Sequence, residues 1–257
     1  ITTCAAATGA PGTPTLVSSI PTAFRAQWTA SSTVGVTYEI DVATNSTFTA
    51  FVPGYQALNV GTDNFKDVTG LTQGTTYYIR ARAVASGNCY SVASSSLTVT
   101  TQYLTAAPWL EAFATTTTPN GFTLTSSWTV GAIVTGNTNI GIYKNLYSGA
   151  TSGAVASINV GPLPAGQWFS FKYYLEDFGD ETISPAAGAA SIVVAVSTDY
   201  GVSYTTLETF LNDGSFGWKE KSYDFSSYVG MNVKVRITGT WVSGDYYLAL
   251  DDLKIDN

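Results

Sequence analysis

Short runs that alternate apolar and polar residues recur along the whole chain, at intervals of roughly 8–14 residues, with Gly, Asn, Asp or Pro between them. Successive side chains of a strand point to opposite faces, so each such run can bury one side of a sheet. Phe24-Arg25-Ala26-Gln27-Trp28 is one example. Val36-Thr37-Tyr38-Glu39-Ile40-Asp41-Val42 is another, with Val36, Tyr38, Ile40 and Val42 on one face. No segment keeps the helical period for more than a turn or two. The pattern predicts an all-β protein. At 257 residues the chain exceeds most single sandwiches, and it predicts two domains, residues 1–102 and 103–257.

Composition removes whole classes of chemistry. There is no histidine, which excludes a Ser-His-Asp triad, a Cys-His pair and an HExxH zinc site. Two cysteines cannot build a Cys4 zinc site or an iron–sulfur cluster. A net charge of -7 argues against nucleic acid, because phosphate contacts need clustered Lys and Arg. No apolar run approaches the roughly 18–20 residues that span a bilayer, so no membrane insertion is expected. The start, Ile1-Thr2-Thr3-Cys4, reads as that of a mature or excised piece of a larger protein. Few charges with many Thr, Ser, Tyr and Gly fit a secreted β protein.

In the first domain, Leu71-Thr72-Gln73-Gly74-Thr75-Thr76-Tyr77-Tyr78-Ile79-Arg80-Ala81-Arg82-Ala83 resembles the L-x-P-G-T-x-Y-x-(F/I)-x-V-x-A stretch of fibronectin type III domains. Gln73 stands in place of Pro, and Ala81 in place of Val. The resemblance covers most of residues 10–102. It implies a sandwich in which Tyr77 forms a tyrosine corner, its hydroxyl bonded to the upstream backbone, and Trp28 lies in the core. Cys4 and Cys89 bracket the domain. They point to an oxidising compartment and one disulfide, the alternative being two buried free thiols. The placement resembles secreted fibronectin-like domains of Bacteroidetes-type bacteria. The domain's four basic residues (Arg25, Lys66, Arg80, Arg82) balance its four acidic ones (Glu39, Asp41, Asp63, Asp67), which suits a spacer. The whole net charge therefore belongs to the second domain.

Three segments of that domain carry a second resemblance. They are Pro108-Trp109-Leu110-Glu111-Ala112-Phe113 with Pro119-Asn120-Gly121-Phe122 and Trp128; Ser197 to Tyr204; and Ser222 to Gly230 followed by Tyr246 to Ile255. In order and spacing they resemble the MAM-like jelly rolls of bacterial surface proteins, known as cleaved-adhesin or choice-of-anchor J domains. The resemblance implies a jelly-roll β-sandwich that is secreted or on the cell surface, with adhesive or ligand-binding roles. Strand-like runs at about 154–160, 167–175, 191–197, 202–209, 217–223, 231–239 and 246–255 agree with that architecture.

Strand phase singles out two acids. Glu111 shares a face with Trp109 and Phe113; Asp251 shares one with Ala249, Leu253 and Ile255. A buried carboxylate must be paired, protonated or bound to a cation. First and last strands often meet in a jelly roll, so the two are expected to converge. With oxygen donors alone, a structural Ca²⁺ is expected, and the MAM-like resemblance matches the same two positions. Asn137, Asn139 and Asp252 are the other candidate donors. The alternative is that both acids face water or pair with Lys or Arg.

Three other features have a bland reading and a sharp one. Ser197-Thr198-Asp199-Tyr200-Gly201-Val202-Ser203-Tyr204 fits the Asp-box pattern of sialidase propellers, but it occurs once, so a hairpin turn held by Asp199 with Gly201 at positive φ is expected. Glu176, Asp177, Asp180 and Glu181 read as a solvated acidic loop, with a second calcium site or a glycosidase-type acid pair as alternatives. Of the tryptophans, Trp218 and Trp241, with Tyr246, are the expected exposed contacts for sugar rings, the rest being core. The expected function is a non-catalytic extracellular adhesion or ligand-binding module of a larger bacterial protein, its partner a cell-surface protein or glycan. The alternatives are a carbohydrate-targeting accessory module of a secreted hydrolase and a structural stalk segment.

Overall fold

Alternation becomes strand most plainly at Thr76–Ala85, where Tyr77, Ile79, Ala81 and Ala83 are buried and the residues between them are half-buried. The structure, a computed structural model, describes residues 9–132, 140–180 and 182–257. The chain divides into two units, Ile1–Tyr103 and Leu104–Asn257. Among the described residues no helix is long and apolar enough to cross a membrane.

The first unit has strands β1 (Thr15–Ile20), β2 (Ala23–Gln27), β3 (Thr37–Ala43), β4 (Leu58–Asn59), β5 (Phe65–Thr69), β6 (Thr76–Ala85), β7 (Cys89–Tyr90) and β8 (Leu97–Thr100). Two antiparallel sheets, β1-β2-β5 and β4-β3-β6-β7 with β8 also on β6, face each other as a fibronectin type III-like sandwich. Phe24, Ala26 and Val68 from one sheet meet Tyr38, Ile40, Val42, Ile79 and Val99 from the other. Trp28 is buried and meets Tyr38 edge-on at 5.9 Å. The Tyr77 hydroxyl accepts the Thr72 N–H at 2.9 Å, which is the expected corner. On the outer surface the charges pair across strands: Arg25 with Asp67, Arg80 with Asp41, Arg82 with Glu39.

The last strand of this unit is broken between β7 and β8. There Ser91 and Ser94 donate their N–H groups to the carbonyls of Ala83 and Ala81 at 2.9 and 2.8 Å. Their hydroxyls accept the N–H groups of the same two residues at 2.9 and 3.1 Å. Serine side chains thus replace strand carbonyls beside β6. Every buried backbone donor needs such a partner.

The second unit has β9 (Leu104–Thr105), β10 (Trp109–Glu111), β11 (Thr123–Thr125), β12 (Thr129–Ala132), β13 (Ile140–Leu146), β14 (Ser152–Ala156), β15 (Asn159–Val160), β16 (Trp168–Asp177), β17 (Ala190–Ser197), β18 (Thr205–Leu211), β19 (Lys219–Asp224), β20 (Lys234–Trp241) and β21 (Tyr246–Asp256). A six-stranded sheet runs β12-β13-β21-β16-β19, with β10 also on β21. A five-stranded sheet runs β11-β14-β20-β17-β18. Phe169, Phe171, Leu248 and Leu250 pack against Ile192, Val194, Val235 and Ile237 between them, as in a jelly roll.

Two expected strands differ in detail. The run 154–160 is two pieces, β14 and β15, and β15 pairs in parallel with β9. The run 202–209 is a turn up to Tyr204, with the strand starting at Thr205. Strand β13 has no counterpart among the expected runs because its apolar phase contains Lys144, only 5% exposed between the buried Ile142 and Leu146. The lysine stem is accommodated by a gap on the facing sheet. A Cβ on Gly153 would lie 2.6 Å from the Lys144 Cδ and 2.7 Å from the Trp128 Nε1. Long charged side chains bury their methylenes in this way while the head seeks the surface.

Candidate functional site

Two strands from opposite ends of the second unit meet. β10 pairs with the end of β21, Trp109 opposite Ile255 and Glu111 opposite Leu253. The Glu111 carboxylate accepts the Phe113 N–H at 2.7 Å, where the chain turns with Phe113 at φ 44. The Asp251 carboxylate accepts the Asp252 N–H at 2.8 Å. Burial pushes Glu111 up. Burial pushes Asp251 up to about 6, and the nearby charges of Asp252 and Glu111 add to the rise. Burial thus raises both acids, and the Glu111 charge adds a little to the rise at Asp251.

The phase of Asp251 is nevertheless not the expected one. Ser170 of β16 faces Lys254, but Lys172 faces Asp251, so β21 carries one extra residue at this point. Asp252 sits in this bulge at φ 47. The core face of β21 changes from Tyr246, Leu248 and Leu250 to Leu253 and Ile255. Asp251 thus lies at the break and does not share an unbroken face with Leu253 and Ile255. A bulge shifts every later side chain to the other phase. Asp252 leaves the pair: it bonds Lys172 at 2.8 Å beside a surface groove that Leu110, Glu220 and Lys254 also line.

Oxygen donors of this kind suit a hard cation. Glu111 and Asp251 are the residues that could hold one, and Asp252 is drawn off by Lys172. Among the described residues no three His, Cys, Asp or Glu side chains gather around a common point for a metal. Asn137 and Asn139 lie outside the described residues.

The outer surface of the six-stranded sheet is lined with aromatic rings. The ladder sets Thr129 beside Tyr143, Tyr143 beside Ala249, and Ala249 beside Tyr174. The next row sets Asn145 beside Tyr247 and Tyr247 beside Glu176. Tyr143 and Phe178 flank Tyr247 with centroids 5.7 and 5.6 Å away. Phe216 and Trp218 flank Tyr174, each at 5.4 Å. Between the two aromatic groups lies Ala249. A groove of about 420 Å³ at the β13 side is lined by Ser127, Thr129, Tyr143, Asn145, Tyr147 and Tyr247, together with Lys144 and Ala150. Phe178 is 52% exposed and Phe216 50%. The sequence signal for this surface is the phase Tyr143-Asn145-Tyr147, which strand alternation places on one side; Lys144 in the opposite, apolar phase masks it.

Of the expected aromatic contacts, Trp218 belongs to this surface. Trp241 is half-buried against the core and its Nε1–H donates to the Gly244 carbonyl at 2.8 Å. Tyr246 is wholly buried and its hydroxyl donates to the Ala189 carbonyl at 2.9 Å. It cannot touch a ligand, because it occupies the inward phase of β21 with Leu248 and Leu250. The single Asp-box is a turn as expected. Asp199 accepts from the Ser203 N–H, the Ser203 hydroxyl and the Ser197 hydroxyl, which hold it down at about 2, and Gly201 has φ 90. In the acidic segment, Asp177 and Asp180 accept the N–H groups of Gly179 and Thr182, closing two small turns. Glu176 is buried at 1% exposure inside β16, which corrects its placement in a solvated loop. Cys89 is buried on β7; Cys4 and Glu181 lie outside the described residues.

No family model matches the chain. No curated protein matches it either. Among solved structures it is similar to a carbohydrate-binding module in complex with β-1,4-galactotriose, at 14% identity and TM-score 0.38, over 52% of this chain and 86% of that one. It is similar to carbohydrate-binding modules of the β-sandwich superfamily at 12% identity and TM-score 0.39, over 99% of this chain and 100% of that one. It is also similar to a fibronectin type III domain of a human protein, at 24% identity and TM-score 0.31, over 39% of this chain and 92% of that one.

Proposed function

We propose that the chain is a non-catalytic, extracellular adhesion or ligand-binding module of a larger bacterial surface or secreted protein. The observation that carries this reading is the aromatic outer surface of the six-stranded sheet, where Phe178 and Phe216 are exposed and Tyr143, Tyr247 and Trp218 half-buried over the buried Tyr174. Exposed apolar clusters with polar neighbours mark interaction sites. The first sandwich, with six of its eight charges paired across strands, acts as a spacer, and a Cys4–Cys89 disulfide ties its N-terminal arm to β7. The second sandwich resembles the MAM-like domains in its motifs and presents the binding surface. Its partner is a cell-surface protein or glycan.

A structural Ca²⁺ is part of the proposal. Glu111 and Asp251 would hold it, with Asn137, Asn139 and Asp252 as further donors; Asp252 would first have to leave Lys172. The cation would neutralise two carboxylates that are otherwise desolvated together, and it would take no part in chemistry. The aromatic surface equally supports a carbohydrate-targeting accessory module of a secreted hydrolase as the second reading.

The test is binding by the whole chain to immobilised glycans and to purified cell-surface proteins. Binding to at least one class, lost on Tyr247→Ala, supports the proposal. Silence in both leaves a stalk segment and refutes it. For calcium, titration calorimetry should show binding that Glu111→Gln abolishes; no heat of binding by the parent chain removes the metal from the proposal.

A further inference from the structure

We propose that the groove on the outer surface of the six-stranded sheet, between β13 and Tyr247 of β21, binds a neutral saccharide. This rests on the reading of the second sandwich as a binding module and names the class of its ligand. Three features of the surface point to sugar.

The first is the arrangement of rings. Tyr143, Tyr247 and Phe178 form one group and Tyr174, Phe216 and Trp218 another, with Ala249 between Tyr143 and Tyr174 in the ladder. Ala249 and Tyr174 are themselves buried, covered by Tyr143 and Trp218, so the rings a ligand can reach are the half-buried Tyr143 and Tyr247 and the exposed Phe178. A pyranose ring has apolar C–H faces and a polar rim, so it can lie against such rings while its hydroxyls remain free to bond.

The second is the polar content of the groove. Ser127, Thr129, Tyr147 and Asn145 line it next to Tyr143 and Tyr247. All are neutral donors and acceptors, which match hydroxyl groups better than charged ones. Asn145 is already oriented: its Nδ2 donates to Asp245 at 2.9 Å. Among the described residues its oxygen and second N–H take no other hydrogen bond. A volume of about 420 Å³ falls within the ~300–1,000 Å³ range of small-molecule sites.

The third is charge. The chain carries -7, all of it from the second domain; Asp177 ends β16, and Asp180 and Asp245 lie in the loops that follow β16 and precede β21. Among the described residues Lys144 is the one charged residue of the groove lining. That field repels polyanions such as nucleic acids and sulfated or uronate-rich glycans. An apolar protein partner would leave the hydroxyls and amide of the groove unpaired.

The test uses the whole chain on an array of neutral hexose and pentose oligosaccharides, uronate-containing oligosaccharides and purified cell-surface proteins, followed by calorimetry with the strongest neutral ligand. Tyr247→Ala and Asn145→Ala should each weaken that binding about tenfold or more. Tyr247→Phe, which keeps the ring, should bind nearly as well as the parent. Trp168→Ala, on an exposed ring at the other end of β16, should leave binding unchanged. Near-ultraviolet dichroism of each variant shows whether it has folded. Saccharide binding indifferent to Tyr247 and Asn145 overturns this location but leaves the binding module standing. Binding to uronates alone overturns the neutral class. Binding to a protein alone, lost in the same variants, overturns sugar as the ligand while supporting the module. No binding to any member of the array overturns both.

Discussion

Asp251→Asn should make the calcium-free protein more stable at pH 7, although it removes a charge that the cation would need. The reason is that Asp251 is 9% exposed, with Glu111 close enough to raise it further. Its carboxyl stands at about 6 against an ordinary 3.8. A shift of that size, at about 1.4 kcal/mol per pK unit, corresponds to about 3 kcal/mol of destabilisation once the carboxyl is ionised. The sign follows from proton binding. Between the two pKa values the folded state holds more protons than the unfolded one, so stability falls as pH rises through that window. Going the other way, from pH 7 to pH 5 in EDTA, the parent should gain about 1 kcal/mol. Carboxylates that are held low, such as Asp199 at about 2 and the ion-paired Asp67, change sides only at lower pH and leave this window clear. Calcium reverses the picture, because it binds the ionised pair. At a concentration 100 times its Kd it should stabilise the parent by about 2.7 kcal/mol and Asp251→Asn scarcely at all. The assay is urea denaturation at pH 5, 6 and 7, with EDTA or with Ca²⁺, for both proteins. If the parent in EDTA is flat or loses stability from pH 7 to pH 5, and the variant is no more stable at pH 7, the two carboxylates are not desolvated together and the argument fails.

Tyr77→Phe should cost about 1–2 kcal/mol in denaturant, because the Thr72 N–H loses its acceptor; a change within error would remove the corner as a source of stability. Tyr246→Phe should cost only about 1 kcal/mol, since the Ala189 carbonyl keeps the N–H groups of Val242 and Ser243, and should leave ligand binding intact. Asp199 should titrate near 2 by carboxyl-carbon NMR, and its turn should lose support as pH falls through that value; a midpoint near 4 would refute the bonds from Ser197 and Ser203. Mass spectrometry of the unreduced chain after proteolysis should yield one linked peptide pair containing Cys4 and Cys89, and two free peptides would refute the disulfide.

Much of the fold can be read from alternation alone, since a period of two with turn residues between runs has few other outcomes. Tyr77 and the Ser197–Tyr204 turn were legible because their chemistry is local: a hydroxyl reaching five residues upstream, a carboxylate reaching four residues on. What resisted reading is where tertiary packing overrides the local pattern. Lys144 hides β13 because a lysine in an apolar phase looks like a break, and only the open space at Gly153 on the facing sheet admits its stem. The bulge at Asp252 has no mark in the sequence beyond two adjacent acids, yet it inverts the phase that placed Asp251. The same strand misled the reading of Tyr246, since a tyrosine near a turn can point either way and the count depends on where the strand begins. The aromatic surface draws its rings from β13, β21 and β16 and from the loops after β16 and before β19, so no single segment announces it.

Ser91 and Ser94 turn their hydroxyls onto β6, and the margin of the first sandwich beyond them offers a neighbouring molecule no continuous row of amides to join. Short, interrupted edge strands resist the sheet-to-sheet adhesion that leads to aggregation. Molecules displayed at high density meet that hazard most often, because their edges collide constantly. Two serines thus interrupt the edge of this sandwich while keeping the backbone donors of β6 satisfied.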